Sequence, residues 1–368
     1  MNLHPPPCIR AAPVLVTPVQ GTKLTHIPSL ADLGWSGFYL SQLDLDDLAL
    51  PRLRVAQVHR TRIAALGQSG PADLALPPDL PAGQIAVGDW VLVDGAGRVV
   101  RCLDRQSLLA RRAAGTGAER QLIAANVDTL LITTSCNADF NTSRLERYLA
   151  LSAEAGCEPV LVLTKADMAE AAPYLARAAA LQRGVAVVAL DARSADNPAR
   201  LANWCRKGQT VALAGSSGVG KSTLAASLTG SAERAAPIRD DDARGRHTTT
   251  WRTMLPMLQG GWIIDSPGMR ALRLTDAADG IDRLFADVTD LAAACRFRDC
   301  QHDTEPGCAV QAAVAAGEVA ADRLSHWRKL RREDRFNSET LHQAHARHRA
   351  FGRMHKTLIR DLKPRGKG

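Results

Sequence analysis

Thr210-Val211-Ala212-Leu213-Ala214-Gly215-Ser216-Ser217-Gly218-Val219-Gly220-Lys221-Ser222-Thr223-Leu224 is the stretch on which the reading of the fold turns. It opens on a short apolar run of strand type, and from Ser222 to Leu228 it reads as the start of a helix, the context that a phosphate-binding loop requires. Gly215, Gly218 and Gly220 let backbone N–H groups turn inward around a β-phosphate at a helix N-terminus, where the dipole is positive. Ser216, Ser217 and Val219 fill the loop between them. Lys221 is expected to bridge β- and γ-phosphates, Ser222 to ligate Mg²⁺, and Thr223 to lie beside it at the nucleotide. A glycine-rich turn without a ligand is the bland alternative. It is disfavoured because every position from Gly215 to Ser222 matches and both flanks agree.

Downstream, Gly261-Trp262-Ile263-Ile264-Asp265-Ser266-Pro267-Gly268 is an apolar strand ending in Asp-x-x-Gly. Asp265 is expected to hold Mg²⁺ through water and the Gly268 N–H to sense the γ-phosphate. Between the two motifs lies Gly245-Arg246-His247-Thr248-Thr249-Thr250. A run of threonines alone suggests a β-strand, but this position makes Thr249, with Thr248 next, the candidate to complete the Mg²⁺ shell. Met269 follows Gly268 where a Ras-like enzyme holds the glutamine that orients the attacking water. His247 is the candidate to supply that group, against the alternative that it packs or caps its loop.

Upstream, Pro159-Val160-Leu161-Val162-Leu163 is a buried-type strand that delivers Thr164-Lys165-Ala166-Asp167 to the carboxyl edge of a sheet, where ligands bind in open α/β folds. A carboxylate at Asp167 accepts from both N1 and N2 of guanine, which adenine does not offer. Lys165 is placed along the base. Thr164 stands where Asn is more usual, keeping one polar contact and losing the amide. After the strand-like Val185 to Leu190 comes Asp191-Ala192, where Ser-Ala is usual; the Ala192 N–H remains available for guanine O6. The order of motifs is itself informative: in a Ras-like GTPase the phosphate loop comes first and the base reader later, and here the order is reversed.

On these residues the chain resembles the circularly permuted GTPases, and most closely the ribosome small-subunit-dependent GTPase A (RsgA) family. The resemblance extends to Leu122–Asp128, to Asn141-Thr142-Ser143-Arg144-Leu145-Glu146-Arg147-Tyr148, to Gly245–Thr249 and to a cysteine cluster, covering roughly residues 50 to 335. It implies GTP and GDP as ligands with Mg²⁺ and one Zn²⁺. It also implies a factor that binds the immature small ribosomal subunit and its rRNA, is stimulated by it, and leaves after hydrolysis.

At 368 residues the chain suggests a multidomain α/β protein with real cores. No run approaches the ~18 apolar residues of a membrane span. Ala11–Val19 is broken by Pro13 and Pro18 and lacks a signal cleavage site, so a cytoplasmic, monomeric protein is expected. Of the eight cysteines, Cys8, Cys102, Cys136, Cys157 and Cys205 are isolated, as small buried hydrophobes are. Cys295, Cys300, His302 and Cys308 cluster, with Pro306 and Gly307 to turn the chain. Three thiolates and an imidazole meet the requirement of structural Zn²⁺ with no open position for catalysis. The family carries a zinc knuckle of this kind.

Leu53–Arg60, Gly88–Gly95 and Gly97–Leu103 read as short strands broken by Gly, Pro and Asp, which suggests a small barrel such as an OB-fold, the type found at the family's amino-terminal end. Trp90 is the only aromatic between Leu53 and Arg112, so a base-stacking platform is not expected there. From Arg323 to Gly368 fourteen Lys or Arg face four Asp or Glu, and helix formers fill Ala312 to Arg332. With Arg101, Arg105, Arg111 and Arg112 flanking the barrel, the expectation is polyanion binding by counterion release.

The expected organisation is an N-terminal extension at 1–49, an OB-type β-barrel at 50–112, a permuted P-loop GTPase at 113–285, and a zinc-binding basic helical domain at 286–368. The permutation brings the end of the Asp-x-x-Gly switch close in sequence to that last domain, so that nucleotide state can move it. Two alternatives are a nucleotidase that ignores RNA, opposed by the basic tail, and an RNA-binding zinc protein with a degenerate GTPase, opposed by intact Lys221, Ser222, Asp265 and Asp167.

Overall fold

A computed structural model describes residues 27–112, 120–231, 252–265 and 277–338. The Gly245–Thr250 stretch with His247, Thr248 and Thr249, the positions Gly268 and Met269, the first part of the N-terminal extension and the basic tail past Ser338 lie outside the described residues. The chain divides into two compact units, one drawn from Met1–Leu109 and Leu122–Ala271, the other from Ala110–Gln121 and Leu272–Gly368.

The first unit begins with five antiparallel-paired strands, β1 (Arg52–Val58), β2 (Arg62–Gly67), β3 (Gly70–Ala75), β4 (Trp90–Val93) and β5 (Val99–Cys102). β1 pairs with β2 and β4, β2 with β3, and β4 with β5. A parallel bridge between Ala75 and Arg98 brings the two outer strands together, so the order runs β1-β2-β3-β5-β4 and back to β1. Alternation explains the closure. Leu53, Val55, Ile63, Ala65, Val91, Val93 and Val99 recur at every second position within their strands and share one apolar interior.

The stretch before β1 packs on this barrel. Trp35 meets Trp90 edge to face at 4.9 Å, and Tyr39, in the short helix α1 (Gly37–Leu40), lies 5.7 Å from the same ring. Trp90 is buried. Beside it the buried Arg54 guanidinium donates to the carbonyls of Leu33 (2.5 Å), Asn126 (2.9 Å) and Gly88 (3.3 Å), tying three segments with one side chain.

After the hairpin β6 (Leu108–Arg112) and β7 (Arg120–Ala125) come β8 (Thr129–Ser135), β9 (Glu158–Thr164), β10 (Ala186–Ala189), β11 (Thr210–Gly215), β12 (Thr253–Pro256) and β13 (Trp262–Asp265). The order in the sheet is β10-β9-β8-β11-β13-β12. The first five of these are parallel and β12 is antiparallel to β13. Such strands are covered on both faces, which is why β8 and β11 are buried along their whole length. The sheet continues into the barrel where Gln57 of β1 pairs with Thr253 of β12.

Helices α2 (Thr142–Ala155), α3 (Ala172–Ala179), α4 (Asn197–Arg200) and α5 (Lys221–Thr229) belong to this unit. α2 starts where the Asn141 side chain accepts from the Arg144 N–H and stops at left-handed Gly156.

In the second unit lie α6 (Ala278–Leu284), α7 (Ala286–Ala293), α8 (Ala309–Ala315) and α9 (Ala321–Ser338). The helix formers of Ala312–Arg332 do not make one helix, because Gly317 takes a left-handed φ of +75° and separates α8 from α9. Leu324, Trp327 and Leu330 bury one side of α9, and Asp334 accepts from the Ala277 N–H. No helix among the described residues is long and apolar enough to cross a membrane.

Candidate nucleotide site and metal cluster

Three loops meet at the carboxyl edge of the parallel strands. β11 ends at Gly215, whose φ is +137°, and a Cβ there would come within 2.1 Å of the Thr133 carbonyl oxygen on β8. Gly218 (φ +77°) and Gly220 (φ +91°) take left-handed conformations, and Gly220 opens α5. The loop therefore has the glycines its backbone needs. Lys221 Nζ donates to the carbonyls of Gly215, at 2.8 Å, and Ser216. Val219 is buried, while Ser217, Gly218 and Ser222 are exposed and Thr223 is half-buried in the first turn of α5.

Thr164 is fully buried at the end of β9, and its hydroxyl lies 2.6 Å from the Val219 carbonyl and 3.0 Å from that of Thr134. The hydroxyl in the place of the usual amide thus ties the end of β9 to the phosphate loop. Next along the chain Lys165 adopts φ +57°, and the Ala166 N–H donates to Leu190 O at 3.3 Å. Ala192 is buried, and a Cβ on Gly220 would lie 3.5 Å from the Ala192 Cβ and 3.7 Å from Thr164. The segments that carry Thr164, Ala192 and Gly220 are thus in van der Waals contact. Asp265 is the exposed last residue of β13, one position past Ile264, which is level with Ala212 of β11. It therefore sits at the edge from which the phosphate loop springs.

Two arginines at this edge escaped the sequence reading. Arg193 Nη2 lies 2.7 Å from Asp167 Oδ2 and 3.2 Å from Asp191 Oδ2, and its Nε lies 3.0 Å from Asp191 Oδ1. Donation from Arg193 holds the Asp191 carboxyl below the usual carboxylate range, and Asp191, with Asp167, pushes the guanidinium pKa up. Arg144, in the first turn of α2, places Nη1 2.5 Å from the Ser216 hydroxyl. The only local hint of Arg193 was its spacing of two residues from an aspartate in a turn. Arg144 lay within the Asn141–Tyr148 resemblance without a role.

In the second unit Cys295, Cys300, His302 and Cys308 bring their ligand atoms within 4.8 Å of one another. His302 Nδ1 is 3.5 Å from both Cys295 Sγ and Cys308 Sγ, and those two sulfurs are 3.9 Å apart. A tetrahedral zinc with bonds of ~2.3 Å to sulfur and ~2.1 Å to nitrogen requires ~3.8 Å between sulfurs and ~3.6 Å from sulfur to nitrogen. The donor set and its spacing fit that ion. Burial, and then Arg328, push the His302 pKa down, which favours the neutral ring that binds metal. The isolated thiols differ in kind, since burial pushes Cys157 and Cys205 up to about 12 and leaves them inert.

The basic residues around the barrel are partly spent. Arg105 makes a double ion pair with the fully buried Asp89, Arg101 pairs with Asp47, and Arg111 donates to Gln121. In the second unit Arg298, Arg328, Arg331, Arg332 and Arg335 line a cleft of about 620 Å³, in which Arg328 pairs with Asp303.

Comparison with known proteins agrees with this geometry. The profile of the RsgA GTPase family matches residues 102–275. The chain is 56% identical over 317 residues to a small ribosomal subunit biogenesis GTPase RsgA of Mesorhizobium japonicum, covering 84% of this chain and 91% of the relative. It is 44% identical to RsgA 2 of Vibrio parahaemolyticus, covering 94% of this chain and 96% of that one. Among solved structures, YjeQ from Thermotoga maritima superposes with a TM-score of 0.57 at 23% identity over 76% of this chain and 96% of its own. YloQ, a circularly permuted GTPase, gives 0.55 at 22% identity, covering 81% of this chain and 99% of its own. With Thr164 at the end of β9 touching the later glycine loop that opens α5, and with relatives of this identity along most of its length, the chain is a GTP-hydrolysing enzyme that belongs to the RsgA GTPase family.

Proposed function

We propose that this GTPase acts in maturation of the small ribosomal subunit in the cytoplasm, with hydrolysis stimulated by the subunit and coupled to release. The relatives' names supply the partner. The observation that carries the nucleotide half is the Thr164–Val219 contact, which joins base reader to phosphate loop in one site. In this reading Asp167 selects guanine and Lys165 flanks it. Backbone N–H groups from Gly215 to Thr223 hold the phosphates with Lys221, and Ser222 and Asp265 serve Mg²⁺, which would neutralise charge on the β- and γ-phosphates. Thr249, His247 and Gly268 keep the roles that the sequence suggests.

The barrel is proposed to be of OB type, supported by its five strands and the parallel β3–β5 bridge. The four-ligand cluster is proposed to hold one structural zinc. Contact with rRNA is assigned mainly to the second unit, where the arginines of α9 line one cleft. Arg101 and Arg105 pair with aspartates, as do Arg328 and Arg331 of α9. The boundaries 50–112, 113–285 and 286–368 stand as the proposed domains, the protein acting as a monomer.

The test is GTP turnover of the full chain with and without purified small subunits. Stimulation by the subunit is expected. Turnover that ignores it would favour a nucleotidase without a ribosomal role, and absence of GTP binding a nucleotide-independent RNA-binding protein.

A further inference from the structure

Asp191 is a difficulty for the nucleotide site as described. It occupies a position where a neutral hydroxyl is usual, and its loop brings a second carboxylate to the one at Asp167, which alone is needed to read guanine. Like charges so placed repel, and each favours a conformation that moves away from the other. The two are carried by different strands, Asp167 after β9 and Asp191 after β10, so the chain itself does not fix their separation.

The Arg193 guanidinium lies between them. Its Nη2 is within hydrogen-bond distance of both carboxylates, its Nε is on Asp191, and its backbone N–H also donates to Asp191 Oδ1 at 2.9 Å. Asp191 is in turn anchored from the phosphate side. Asn197, fully buried, donates through Nδ2 to Asp191 O at 2.9 Å and to Ser227 Oγ of α5 at 3.2 Å. A chain of contacts therefore runs from the phosphate-loop helix through Asn197, Asp191 and Arg193 to Asp167. Arg193 engages one oxygen of Asp167, Oδ2. A carboxylate has about four acceptor positions, so capacity remains for two N–H donors of a base.

We propose that Arg193 is the positioning residue of the base reader: held by Asp191, it fixes the Asp167 carboxylate for guanine. The inference rests on the assignment of Asp167 as that reader. Asp191 then has a role that is neither base contact nor accident, since it anchors the guanidinium. The pair Asp191 and Arg193 is a unit in which either residue alone is worse than a neutral pair. Arg193 without Asp191 is an untethered side chain, and Asp191 without Arg193 is an uncompensated charge beside the reader.

The experiment is GDP affinity of the full chain by calorimetry, together with the ratio of guanosine to xanthosine diphosphate affinity. Arg193→Ala should weaken GDP about three- to tenfold, the range of one exposed charge-assisted contact, and narrow the ratio. Arg193→Lys, a point charge without the fork, should recover part of the loss. Asp191→Ser combined with Arg193→Ala should bind GDP better than Arg193→Ala alone, because the repelling carboxylate has gone. Both residues are at the surface, so melting temperatures serve to exclude general unfolding. GDP binding that is unchanged or tighter in Arg193→Ala overturns the proposal, as does a double variant no better than the single one. Asp167→Asn separates the two levels. If it fails to exchange guanosine for xanthosine preference, the base-reader assignment falls. If it does so while Arg193→Ala is silent, only the positioning role falls.

Discussion

The Thr164 hydroxyl reaches the Val219 carbonyl at 2.6 Å, so the end of β9 and the glycine loop before α5 share a buried polar contact. A single hydroxyl proton is divided between this carbonyl and that of Thr134. Thr164→Val keeps the shape and removes the donor. It should cost about 1–3 kcal/mol, because buried carbonyls lose their partner. Calorimetric melting should fall by about 2–4 °C for each of those kcal/mol, and GTP affinity should fall with it. An unchanged melting temperature would mean that water replaces the hydroxyl.

Gly215 tests the spacing of β8 and β11. A methyl group there meets the Thr133 carbonyl at 2.1 Å on a backbone with φ +137°. Gly215→Ala should destabilise by about 3 kcal/mol or more, through strain and a forced shift between central strands. Gly218→Ala has open space and pays only for its φ of +77°, so urea unfolding should rank it well above Gly215→Ala.

In the proposed site, Asp167 sets base choice. Exchange for Asn replaces an acceptor with a donor opposite guanine N1, and should weaken GTP relative to xanthosine triphosphate by roughly 100-fold or more. Competition binding with the two nucleotides measures it.

Metal content checks the cluster. Emission spectroscopy should find one zinc per chain, and Cys300→Ser should lose it. The binding energy of a structural zinc is folding energy on the order of 10 kcal/mol, so the variant should lose helical circular dichroism from α6 to α9. Helicity that survives complete metal removal would reduce the cluster to a packing feature.

The Asp191 carboxyl titrates below its ordinary 3.8 because Arg193 donates to it in the fold. A depressed folded pKa contributes stability that is complete above the unfolded value and is lost as pH falls through the folded one. Carbon-detected NMR titration should place its midpoint below 3.8, and Arg193→Ala should bring it back toward that value. The pair's contribution is therefore constant from pH 8 down to about 5.

Much of this was legible before any coordinates, because phosphate loops and metal knuckles are local. The left-handed glycines of Gly215 to Ser222 and the clustering of Cys295, Cys300, His302 and Cys308 follow from residue types a few positions apart. Arg193 and Arg105 were not legible in the same way. Each meets an aspartate from another segment of the chain, Asp167 and Asp89, and periodicity does not say which charge on a turn faces which. Arg105 read as part of a basic surface, yet Asp89 behind it is fully buried and holds it with two hydrogen bonds. The break between α8 and α9 was missed for another reason: the helix-forming residues around Gly317 outvoted a single glycine, whose left-handed φ decides the matter.

The place of β11 in the sheet, between β8 and β13, governs how the enzyme is assembled during its own synthesis. The trio β8, β9 and β10 is made before β11 and can pair in parallel, but it presents β8 as an edge of unpaired N–H and C=O groups until β11 is made. β11 then pairs along that edge and becomes the new rim, which β13 covers in turn, so the proposed base-reading segment is made before the proposed phosphate loop. A newly made chain is exposed to wrong pairing along β8 for that interval.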